Sequence, residues 1–343
     1  MFSLTVWFSI LSIAGVVSGA HPPRATPALY HNPQSSTESH GASWINYTAV
    51  PGFFLQDEAT TDPSTFDYTQ WNFGLINRTY PTDSHVSKNA TQWRKFENYV
   101  TSLNKNSPKH LNYKVLFMGR HGEGFHNAAE TYYGTPACYY SLIDGNSTVT
   151  AQKAADYWLS RIQLQNIPLP QSYYTSPLYR CLETANVTFS TLPLPKSRPF
   201  KPLIKELFRE GISGHTCDRR SNRTFIHESF PSYKIEKGFS EDDLLWKELE
   251  GEVAIDQDIR SKKVLDEVFG SDDNTWLSIT SHSGEISSIL RVLNHQVFRL
   301  TTGSIIPVLV KAETIPGDAT STSYLPWTTI STCTSPPANT ATS

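Results

Sequence analysis

From Tyr113 onward the chain alternates short apolar runs with longer amphipathic stretches. The runs fall at 115–118, 172–175, 203–208, 276–280 and 305–310 and are rich in aliphatic and aromatic residues. Each has the length of a buried strand. Helical spacing recurs between them at 151–165, 177–189, 241–249, 256–269 and 284–295. Upstream, "FENYVTSLNK" predicts a helix with Phe96, Val100 and Leu103 on one face. Strands alternating with helices predict an α/β fold: a three-layer sandwich, its central sheet mostly parallel, with helices on both faces. In such sheets a ligand binds beyond the carboxyl ends of the strands.

The flanks read differently. Residues 1–20 are apolar and end in Ser18, Gly19 and Ala20, which predicts a signal peptide cleaved after Ala20. Residues 21–45, rich in Pro, Ser, Thr and His, predict a flexible extension. The catalytic domain is expected over 46–314, and the Ser/Thr/Pro-rich tail over 315–343. Sequons at Asn46, Asn77, Asn89, Asn146, Asn186 and Asn222 agree with export to the extracellular space or cell wall as a glycoprotein. Cys138, Cys181, Cys217 and Cys333 would then meet an oxidising compartment, where disulfides are expected, though three pairings stay open. A net charge of −3 and the lack of a basic stripe argue against nucleic-acid binding. No segment after the signal peptide is apolar and long enough to span a membrane. Spacing sets no oligomeric state.

Three strand ends carry unusual chemistry. "VLFMGRHGEGFHN" ends its apolar run in Arg120 and His121, flanked by glycines. "TSPLYRCLETA" offers Ser176 as an N-cap, Pro177 as the first helical residue and Arg180 in the first turn. A cation there opposes the helix dipole, and a bound anion would reverse that cost. "LSITSHSGEI" places His282 between a strand and a helix. An arginine fork suits phosphate, and a neutral imidazole can attack phosphorus and hold it covalently. The shared chemistry is phosphoryl transfer to or from a small phosphorylated substrate, with no cofactor or metal called for.

"FMGRHGEGFHN" resembles the signature of the histidine phosphatase superfamily, the phosphoglycerate mutase-like proteins. "SPLYRCLETA", "LFREGISGHTCDRR" and "TSHSGEI" resemble its later motifs and stand in the expected order. The resemblance spans roughly Phe53 to Lys311, and "FGLI" and "HTCDRR" resemble a fungal phosphomutase-like, secreted subgroup. It implies a phosphoglycerate mutase-like fold and a secreted phosphomonoesterase, with a phosphomutase or a catalytically impaired surface glycoprotein as alternatives. It implies His121 as nucleophile. Arg120, Arg180 and His282 would hold phosphoryl oxygens, with support from Asn127. Glu210 would be the proton donor, with Asp218 and Glu123 as substitutes. The sequence departs from the family where an L-T-x-x-G-x-x-Q-A segment is usual: "DGNSTVTAQKAADYW" keeps only its end, which predicts a shortened loop before that helix.

Other chemistries fit less well. His121 and His126 lack the H-E-x-x-H spacing of a zinc hydrolase. No G-K-[ST] follows the glycines, and "SHSGE" lacks the first glycine of a nucleophile elbow. The basic stretch with Arg219, Arg220 and Arg223 suits an anionic substrate.

Overall fold

Along one strand, Val115 and Phe117 enter one buried cluster while Leu116 and Met118 enter another. A strand alternates its side chains, so a run that is apolar at every position fits only between two covered faces. The computed structural model describes residues 42–128, 148–319 and 322–330 and bears this out. Strand β2 (Leu111–Arg120) is central, beside β7 (Trp276–Ser281), β3 (Ser172–Thr175), β4 (Leu203–Ile204) and β5 (Lys234–Ile235). These five run parallel. On the other side β8 (Ile305–Pro316) pairs antiparallel with β2, and β1 (Ser43–Ala49) antiparallel with β8.

Helices cover both faces. Helix α1 (Gln92–Asn106) buries Trp93, Phe96 and Val100, with Thr91 accepting from Arg94 N as the N-cap. Helix α2 (Thr148–Gln165) adds Ala154 and Trp158, and α3 (Tyr179–Phe189) adds Phe189, to the same aromatic cluster. Helix α4 (Arg223–Ser229) is short and contributes Ile226 to a third cluster. On the opposite face α5 (Ala254–Ser271) and α6 (Ser283–Val292) supply Val264, Leu265, Val268, Ile286, Ile289 and Leu290. No helix of the described residues is long and apolar enough to cross a membrane.

Three expectations change. The strand expected over 203–208 is only Leu203–Ile204, followed by a single 3₁₀ turn at Glu206–Phe208. The helix expected over 241–249 does not form. Its backbone is claimed by side chains: Arg220 donates to the carbonyls of Ser240, Glu241 and Asp242, and Asp243 accepts from Leu245 N and Trp246 N. Those groups cannot also serve an i→i−4 ladder. The flanks are partly structured as well. β1 begins at Ser43, inside the expected extension, and β9 (Thr328–Thr329) in the tail pairs with β6 (Glu250–Gly251). The stretch that departs from the family pattern, 144–158, is helix from Thr148 on, through Thr150 and Ala151, and its first four residues lie outside the described residues.

Candidate active site

Strand register builds the site. Arg120 lies opposite Ser281 across β2 and β7, and Thr175 lies opposite Thr280 across β3 and β7. The residues that follow each strand therefore meet at one edge. His121 N donates to Ser281 O at 2.9 Å, and Ser176 N donates to Thr280 O at 3.0 Å. The rings of His121 and His282 lie 5.1 Å apart, centroid to centroid, at 62°. Both histidines are buried, as is Arg180. The carboxyl-end placement inferred from sequence thus joins His121, His282 and Arg180, with Arg120 half-buried beside them.

Hydrogen bonds fix the nucleophile candidate. His121 Nδ1 donates to Gly122 O at 2.6 Å, because a carbonyl can only accept. That leaves Nε2 with the lone pair. Gly122 N donates to Thr184 Oγ1 at 2.9 Å, and Thr184 Oγ1 donates to Arg180 O at 2.7 Å, so helix α3 anchors the loop. Asn127 Oδ1 accepts from Gly124 N at 3.1 Å and closes the turn between them. Burial first, then the charges of Arg180 and Arg120, hold His121 well below the ordinary imidazole range. Burial and Arg180 do the same to His282. Both rings are therefore neutral at pH 7.

The arginines are aimed by backbone. Arg180 Nη1 donates to Cys217 O at 2.7 Å, and Nη2 lies 3.9 Å from Asp218 Oδ1. Arg120 Nη1 donates to Leu300 O at 3.0 Å. Arg180 is in the first turn of α3, but the helix starts later than expected, with Leu178 at the N-cap. Ser176 does not cap the helix. Its Oγ accepts from Leu178 N at 3.3 Å and lies 2.8 Å from His282 Nε2.

Two carboxyls compete as proton carriers. Glu210 accepts from Gly284 N at 3.2 Å and Glu285 N at 3.0 Å, on the first turn of the helix that His282 caps. The approach is close: a Cβ on Gly284 would fall 2.2 Å from Glu210 Oε1, so any larger residue there would displace the carboxylate. Asp218 accepts from Ser213 Oγ, and burial pushes its carboxyl up to about 7 against the pull of Arg180. Glu123 is exposed.

Sequence reasoning missed His126. Its ring lies 5.5 Å from that of His121, it is 7% exposed, and its Nδ1 is buried with no hydrogen-bond partner. Burial, with Arg180 and Arg120, lowers it to about 3. Its place five residues after His121, directly before Asn127, was a usable signal. Cys181 was missed too: its Sγ lies 3.3 Å from His282 Nε2. The expected disulfides are not seen among the described residues. Cys181 and Cys217 are both buried next to the site, while Cys138 and Cys333 lie outside the described residues.

No protein-family model matches the chain. A probable phosphoglycerate mutase of Arthroderma benhamiae is 48% identical to it over 287 residues, 79% of this chain and 85% of that protein. A probable phosphoglycerate mutase of Saccharomyces cerevisiae is 30% identical over 308 residues, 80% of this chain and 99% of that protein. Among solved structures, a mycobacterial glucosyl-3-phosphoglycerate phosphatase in complex with VO3 aligns at 18% identity and a TM-score of 0.34, covering 57% of this chain and 96% of that one.

Proposed function

The chain belongs to the phosphoglycerate mutase-like proteins of the histidine phosphatase superfamily, and on that premise we propose that it is a phosphomonoesterase working through a phosphohistidine on His121. The observation that carries this reading is the hydrogen bond from His121 Nδ1 to Gly122 O. It leaves a neutral, buried Nε2 between a second imidazole and two guanidinium groups.

Nε2 attacks phosphorus as the ester P–O bond breaks. The Nδ1–H bond to Gly122 O supports the imidazolium that forms. Arg120, Arg180 and His282 bear on the non-bridging oxygens, where each well-aimed donor contributes about 3 kcal/mol to the transition state. The phosphoryl dianion offsets the charges that keep the imidazoles neutral, so His282 gains basicity when substrate binds. Glu210 gives its proton to the leaving alkoxide. It then takes one from water, whose oxygen bonds phosphorus as Nε2–P breaks. Phosphate leaves, and His121 returns to its neutral form.

Asp218 is a second reading for the proton donor, favoured by its carboxyl held near 7 beside Arg180. The pH profiles of Glu210→Gln and Asp218→Asn separate the two: the true donor's variant loses the basic limb. A phosphomutase is the second reading for the whole protein, favoured by the names of its relatives. Export is part of the proposal. The apolar start of the chain supports it, as do Asn77, Asn89 and Asn186, which are exposed as glycan acceptors must be.

The test is hydrolysis of an aryl phosphate by purified protein, with His121→Ala beside it and acid-labile phosphate measured on the trapped enzyme. Turnover and trapped phosphate, both lost in the variant, are expected. Transfer of trapped phosphate to phosphoglycerate rather than water would move the reading to mutase. Turnover that survives in His121→Ala would end it.

A further inference from the structure

The loop 210–218 carries both proton-donor candidates and the Cys217 carbonyl that holds Arg180. One side of it rests on α5. Arg260 donates to Glu210 O at 3.1 Å, and Glu252 pairs with Ile212 through its backbone N at 2.7 Å and its carboxylate at 3.2 Å. The other side rests on the C-terminal segment 325–330. Leu325 N and Trp327 Nε1 donate to Asp256 Oδ1 and Oδ2 at 2.8 and 3.1 Å. Asp256 is 1% exposed and lies in the first turn of α5. Thr328 and Thr329 pair with Gly251 and Glu250, and Ile330 N donates to Leu249 O at 2.9 Å.

The segment meets the loop at Gly214. A Cβ there would stand 2.8 Å from Ile330 Cδ1 and 2.5 Å from Glu248 O, so the loop is pressed against the tail. His215 O accepts from Trp246 Nε1 at 3.0 Å and closes the same wall. An exposed, Ser/Thr/Pro-rich tail has no need to present two donors to one buried carboxylate unless its position matters to what lies beneath.

We propose that residues 325–330 form a strap that sets the acid-bearing loop against the site, so that Trp327 and Ile330 are positioning residues for proton transfer to the leaving group. This rests on the phosphomonoesterase reading above. The far end of the loop has its own anchor, Arg209 Nη2 donating to Asp218 O, so loosening the strap acts chiefly on the Gly211–Gly214 side, next to Glu210. Protonation matters most when the leaving group is a poor one. A strap that positions the acid is therefore felt selectively.

The test compares kcat/KM for glycerol 2-phosphate and for 4-nitrophenyl phosphate in full-length wild type, Trp327→Phe, Ile330→Ala and the double variant. The double variant is expected to lose about tenfold on the alkyl ester and less than about threefold on the activated aryl ester. Equal losses on both, or no loss on either, would overturn the proposal. Trp327→Phe keeps an aromatic side chain while removing the indole N–H that meets Asp256, so it reports even if the double variant does not fold. Trapped phosphate on wild-type His121 is measured first, because its absence means the phosphomonoesterase reading has failed. The strap is then judged by deuterium uptake at 211–216. Faster uptake in Ile330→Ala sustains the clamp, and unchanged uptake refutes it.

Discussion

The two sides of the molecule are held by different physics. Under one face of the sheet Phe53, Phe54, Phe73, Trp93, Phe96, Phe117, Trp158 and Trp276 form an almost unbroken aromatic cluster. Ring centroids such as Phe117–Trp158 at 4.9 Å and Phe73–Trp158 at 4.8 Å mix tilted and edge-on contacts. Between β4 and α5, buried arginines do the organising instead. Arg209 meets both oxygens of Asp243 at 2.8 and 2.7 Å, and Arg220 meets both oxygens of Glu206 at 3.0 and 2.8 Å. Arg260 joins Glu252 at 2.8 Å and Glu285 at 3.1 Å. Aromatic burial is non-directional and tolerates repacking. Buried ion pairs gain little net stability but fix geometry, because an unmatched charge is costly. The cluster supports the sheet, and the ionic region aims the acid-bearing loop.

The largest effect tests what that aiming serves. His121→Ala is expected to cut phosphatase turnover by more than about a thousandfold while leaving the melting temperature within a few degrees, read by a phosphate-release assay and calorimetry. A variant with full activity would mean the ionic region aims at nothing catalytic.

Next, one member is removed from each side. Trp158→Ala is expected to cost about 3–5 kcal/mol in urea unfolding. Arg260→Met is expected to cost a similar amount, because it strands Glu252 and Glu285. Activity separates them: per unit of stability lost, Arg260→Met should lose far more turnover, measured where both variants remain folded.

A gentler pair sharpens the contrast. Phe96→Leu should cost less than about 1.5 kcal/mol, since the cluster can repack. Arg209→Lys keeps the charge but loses the two-pronged contact with Asp243, and should cost about 2 kcal/mol. If the two rank the other way in denaturant titrations, the ionic region is no more directional than the aromatic one.

The last comparison is in pH dependence. Asp218 is raised to about 7 in the fold, so the native state takes up its proton near 7 while the unfolded chain waits until about 4. Its contribution to stability is thus complete below about 4 and is lost as pH rises through 7. Asp218→Asn should therefore flatten this contribution, and the variant's stability relative to wild type should fall by about 1 kcal/mol per pH unit on going from 7 to 4. Thermal melts across that range check it. A constant difference between the two proteins would mean Asp218 is ionised at neutral pH.

What the sequence by itself determined is local. The continuous apolar runs and the helical patterns mark β2, β7, α1 and α5, because run length and 3.6-residue spacing are properties of neighbours in the chain. Arg120, His121, Arg180 and His282 were legible because each directly follows a strand or opens a helix, and parallel strands leave their carboxyl ends together. Tertiary structure decided the rest. Segment 241–249 has helical spacing, but Arg220 takes the carbonyls of Glu241 and Asp242 from 21 and 22 residues away. Ser176 has the chemistry of a cap, but β7 sets His282 within its reach. Glu210 acquires its partners only when α6 arrives 74 residues later, and the strap acquires Asp256 from 69 residues upstream. A hydrogen bond to a distant backbone has no period and leaves no trace in the spacing of either partner, so only the folded chain can reveal which polar groups will be claimed.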